Sequence, residues 1–99
     1  INFNKETMKI VNLFEENNKY IKVKIDLIDG KYRAGVNIHF GNYGCGGLPS
    51  KHDEGFNTEN ECLENSKKYI KKYLIENGED ENKIKKILFQ SQEIQLTLF

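Results

Sequence analysis

Tryptophan is absent from this 99-residue chain, proline and methionine occur once each, cysteine twice, and arginine only at Arg33. Two cysteines cannot staple a small secreted scaffold, so Cys45 and Cys62 are expected as free, partly buried thiols. No apolar run approaches the roughly 20 residues of a membrane-spanning helix. The opening residues Ile1-Asn2-Phe3-Asn4-Lys5-Glu6 lack the hydrophobic stretch of a signal peptide, which favours a cytoplasmic location. Charge of one sign is also missing. Fifteen basic and fifteen acidic residues cancel, which excludes the strong net charge of a nucleic-acid coat or a disordered tail. Lysine supplies nearly all the positive charge and asparagine is abundant, a bias that points to a low-GC bacterium or its mobile elements. The chain starts with Ile, so it is expected to be trimmed or the C-terminal part of a longer protein.

The remaining residues are enough for one small domain spanning 1–99, with a modest core. The clearest local pattern lies at residues 20–40. Ile21, Val23, Ile25 and Leu27 alternate with Lys22, Lys24 and Asp26. Tyr32, Ala34, Val36, Ile38 and Phe40 alternate with Arg33, Gly35, Asn37 and His39. Asp29-Gly30 between them is the dipeptide favoured in a two-residue type I′ turn. Closing that turn sets Leu27 opposite Tyr32, Ile25 opposite Ala34, Val23 opposite Val36 and Ile21 opposite Ile38, apolar on both sides at every pair.

Upstream, Met8, Val11, Leu13 and Phe14 fall near helical spacing with Ile10 beside them, which predicts a helix over Lys5 to Asn18, while Ile10-Val11 also fits a short strand. Downstream, Gly41 to Gly55 holds five glycines and Pro49 and reads as a long loop. Thr58 and Glu61 form a capping box opening a helix to about Asn77, stopped by Gly78. Its apolar face is read as Cys62, Ser66, Tyr69, Ile70, Tyr73 and Leu74, laid over the hairpin. Asp80 is expected to cap a shorter helix through Ile84, Ile87 and Leu88, followed by an extended tail at 93–99. The fold class is therefore α+β.

Few residues point to chemistry. His39, Cys45, His52 and Cys62 lack the paired short spacings of a zinc site, and no metal or other cofactor is expected. Cys45, His52 and Asp53 hold the minimum vocabulary of a thiol site without a motif to join them. Gly44-Cys45-Gly46-Gly47 does not lead into a helix N-terminus as a phosphate loop should. Lys67, Lys68, Lys71 and Lys72 make a basic stripe on the long helix, a candidate nucleic-acid contact or a solvated face. No catalytic residue stands out, and a non-enzymatic interaction domain is the expectation.

The last residues, Gln95-Leu96-Thr97-Leu98-Phe99, resemble the peptide by which bacterial DNA-processing proteins dock onto the replication sliding clamp. That resemblance implies that Gln95 enters a small polar pocket, Leu96 fixes an extended backbone, and Leu98 with Phe99 fills an apolar cleft. Ile94, Leu96 and Leu98 also alternate as a terminal β-strand would, so a purely structural strand stands beside the docking reading. Gly55, Phe56, Thr58 and Glu61, following a strand pair and a glycine- and proline-containing loop, look like a small C-terminal domain of phage or mobile-element DNA-modification or ParB-like proteins.

Overall fold

A computed structural model of the chain describes residues 8–88. Four strands form one antiparallel sheet in the order β1-β2-β3-β4. These are β1 (Lys9–Glu16), β2 (Lys19–Ile28), β3 (Lys31–His39) and the short β4 (Gly44–Cys45). Helix α1 (Glu59–Glu76) and a second helix, α2 (81–88), complete the described part. The class is α+β, as the sequence predicts.

The central hairpin has the predicted register, with Leu27, Ile25, Val23 and Ile21 opposite Tyr32, Ala34, Val36 and Ile38. Asp29 and Gly30 sit at φ 53° and 78°, the two positive values a type I′ turn requires.

The N-terminal helix expected over Lys5–Asn18 is corrected: from Lys9 to Glu16 the chain is a strand paired with β2. Two features misled the periodicity. A bulge between Asn12 and Phe14 makes Leu13 the extra residue, so Leu13 and Phe14 both reach the core and the alternation breaks. Asn17 and Asn18, at φ 49° and 66°, form a second two-residue turn rather than a helix end. Asparagine tolerates this left-handed conformation better than other residues with a Cβ.

Thr58 caps α1 as expected, its Oγ1 accepting from the Glu61 amide at 3.1 Å. At the other end Gly78, at φ +89°, donates to the Ile75 carbonyl, and Glu79 donates to the Leu74 carbonyl, both at 3.0 Å. This pair of crossed bonds closes the last turn.

Helix α1 lies over the face of β2 and β3 that carries Ile21, Val23, Ile25 and Ile38. Cys62, Leu63, Ile70 and Leu74 join these in the core, with Ile84 and Ile87 of α2, Leu13 and Phe40. The predicted helix face needs one correction. Tyr69 is 49% exposed, while Leu63 and Lys67 are buried at 8% and 7%. The buried stripe is rotated toward Leu63, and the Tyr69 ring lies at its margin, stacked on Tyr73 with centroids 6.2 Å apart. Lys67 buries its aliphatic stem and keeps its ammonium 3.4 Å from the exposed Glu64 carboxylate.

Candidate functional site

The glycine-rich segment 41–55 builds the most distinctive feature of the described chain. After β4 it leaves the sheet, crosses the polar side of β3, and returns where Phe56 exchanges two backbone hydrogen bonds with Tyr32, at 2.8 and 2.9 Å. The crossing occurs over Gly35. A Cβ there would lie 2.5 Å from the Gly47 carbonyl oxygen and 2.9 Å from the Leu48 carbonyl carbon, so only glycine fits beneath the arch.

Side chains on the same polar strand face hold the arch down. The Asn37 amide donates to the Gly47 carbonyl at 3.0 Å and accepts from the Gly47 amide at 3.3 Å. Arg33 places its guanidinium under the far limb, Nη1 donating to the carbonyls of Asp53 at 2.5 Å and Lys51 at 3.2 Å. Its Nε donates to the Ile28 carbonyl at 3.0 Å. A planar fork can serve three carbonyls at fixed angles, which a lysine ammonium on a flexible stem does poorly. Within the arch the Asp53 carboxylate accepts from the Ser50 amide at 2.8 Å, and Ser50 Oγ accepts from the His52 amide at 3.2 Å.

Between the arch and the middle of α1 lies an open cleft of about 390 Å³, bordered by Ala34, Val36, Leu48, Phe56, Tyr69 and others. Cys45, Asp53, Glu54, Asn65 and Ser66 add polar groups to its wall. Burial, with the Cys45 thiol alongside, pushes the Tyr69 and Tyr73 hydroxyls above their ordinary value. Ser66 Oγ is occupied, donating to the Cys62 carbonyl at 2.9 Å.

A second polar contact locks the opposite end of the helix. Tyr43 Oη donates to Glu79 Oε2 at 2.6 Å. Burial, then the Glu79 carboxylate, raises the phenol well above its ordinary value. The same hydrogen bond lowers the Glu79 carboxyl, against the opposing effect of burial and with help from Lys83.

The residues singled out in the sequence are dispersed. Cys45 and Asp53 border the cleft, whereas His52 is exposed on the arch and is not among the residues that line it. His39 stacks on Tyr20, centroids 5.4 Å apart, on the sheet face away from α1. Cys62 is in the core, where burial, then Glu59 and Asp53, push its thiol up. Among the described residues no group of three or more His, Cys, Asp or Glu side chains is placed to hold a metal ion. Of the lysine stripe, Lys68, Lys71 and Lys72 are exposed and Lys67 is buried. Gln95, Leu96, Leu98 and Phe99 lie outside the described residues, as do Ile94 and the whole tail at 93–99.

The arch itself was missed in the sequence. Its signals were present: a glycine inside a strand pattern, and one arginine at a strand position in a chain that otherwise uses lysine. Comparison with protein-family models, curated proteins and solved structures found no match to this chain.

Proposed function

We propose that this is a non-catalytic interaction domain of a bacterial or mobile-element DNA-metabolism protein, recruited to DNA through the sliding clamp by its C-terminal tail. The observation that carries the reading is the tail Gln95-Leu96-Thr97-Leu98-Phe99, with paired apolar residues at its end. In a half-buried strand, neighbours such as Leu98 and Phe99 point to opposite faces, whereas a docking peptide can use both. Burying the two is worth on the order of 3–6 kcal/mol before ordering costs, suited to a weak recruiting contact that a multivalent clamp strengthens. The function would be exercised in the cytoplasm. Among the described residues no helix is long and apolar enough to cross a membrane.

The test is titration of a purified bacterial clamp with this chain and with a Leu98→Ala/Phe99→Ala variant. Saturable binding by the first, lost in the second, supports recruitment; equal binding by both, or none by either, overturns it. A second reading rests on Lys68, Lys71 and Lys72, which α1 turns to solvent away from the sheet. Contact with DNA or RNA there would appear as affinity falling steeply with salt and weakened by replacing these lysines with glutamate.

A further inference from the structure

The edge of β3 is closed at two points and open between them. Tyr32 is bonded to Phe56 at one end, and Ile38 is paired with Cys45 at the other. Along a strand, alternate residues direct their backbone groups to the same edge, so Ala34 and Val36 share the edge used by Tyr32 and Ile38. Among the described residues no strand pairs with Ala34 or Val36 on that side. The cause is local. The chain that would continue β4 opposite Val36 is held instead by the Asn37 side chain at Gly47, which lifts it off the edge. The cleft is the space left behind, and Ala34 and Val36 form part of its wall.

We propose that this cleft binds the first residues of a peptide bearing a free α-amino group. Three observations converge on that chemistry. Two half-buried strand positions, Ala34 and Val36, direct N–H and C=O groups to an edge that no described strand pairs, the mode by which an extended peptide adds to a sheet. Phe56 and Cys45 block the edge on either side, leaving about 20 Å between blocked positions, so a long strand cannot run through and a chain end fits better. Asp53 and Glu54 are among the wall residues and no Lys, Arg or His is. The Asp53 carboxylate is tied in part to the Ser50 amide, so the exposed Glu54 is the main acid offered to an ammonium, and a terminal carboxylate is disfavoured. Leu48, Phe56 and Tyr69 supply an apolar surface for the first side chain. The residues named for this cleft lie between Ala34 and Tyr69, so its test and the test of the clamp reading can fail separately.

The probe is the tripeptide Leu-Ala-Ala amide, titrated as the free amine and as its N-acetyl form into the isotopically labelled whole chain. Backbone amide resonances of Ala34 and Val36 should move on adding the free amine. Acetylation should weaken binding about tenfold or more, the scale of one charge-assisted hydrogen bond. Glu54→Gln, an exposed position, should weaken the free-amine peptide while leaving the unliganded spectrum close to wild type. Three outcomes overturn the proposal: no shift at millimolar peptide, equal binding of the acetylated form, or shifts confined to residues away from the cleft.

Discussion

The side-chain amide of Asn37 takes both backbone groups of Gly47, donating to its carbonyl and accepting from its N–H. One side chain thus stands in for a strand peptide and redirects the main chain across the sheet instead of along its edge. Replacing Asn37 by Leu should free the limb at 46–48 and lower stability by about 1 kcal/mol, since both bonds are partly exposed. Faster hydrogen exchange at the Gly47 amide, beyond what the change in global stability explains, is the signature to measure.

Gly35 and Arg33 support the same arch from below and beside it. Gly35→Ala places a methyl group within 2.5 Å of a backbone oxygen, and backbone must move to admit it. A loss of about 1–3 kcal/mol is expected by denaturant titration. Arg33→Lys keeps the charge and loses the fork that serves three carbonyls. It should cost about 1–2 kcal/mol, and wild-type stability in that variant would show that charge alone holds the arch.

The corrected helix face gives a comparison within α1. Leu63 is 8% exposed and Tyr69 49%. Leu63→Ala should therefore cost about 2–4 kcal/mol, and Tyr69→Ala well under half of that. Reversed magnitudes in urea unfolding would restore the face expected from the sequence.

Burial of the Tyr43 phenol, together with its hydrogen bond to Glu79, makes stability depend on pH at both extremes. The Glu79 carboxyl is lowered in the fold, so its contribution is present above the ordinary value of 4.5 and lost as pH falls through the lower folded value. The Tyr43 phenol is raised, so its contribution is full below the ordinary value of 10.0 and lost as pH rises toward the higher folded value. Between those limits stability should be flat with respect to this pair. The difference between wild type and Tyr43→Phe, followed by thermal unfolding across pH, should shrink at both ends. A difference constant across the range would remove the pair as the cause.

How much of this was legible in sequence follows from how local each signal is. Asp29-Gly30 and its flanking alternation determine a hairpin between neighbours, and Thr58, Glu61 and Gly78 mark helix ends through contacts a few residues away. Strand β1 escaped because a single inserted residue, Leu13, turns a period of two into an apparent helical spacing. The arch escaped because Asn37 and Gly47, or Arg33 and Asp53, meet only after the hairpin and β4 have brought them together. Lys67 escaped because its long stem lets a charged residue occupy a buried helix position. The cleft is a consequence of the arch and shared its invisibility.

Docking through the tail is tested most directly by following the labelled chain residue by residue as unlabelled clamp is added. If the tail docks on the clamp, resonances of Gln95, Leu96, Leu98 and Phe99 change selectively and saturably, while the chemical-shift pattern of β2, β3 and α1 is preserved. Resonances that change across the sheet and helix while the tail stays constant would contradict it, as would no change in any residue at saturating clamp.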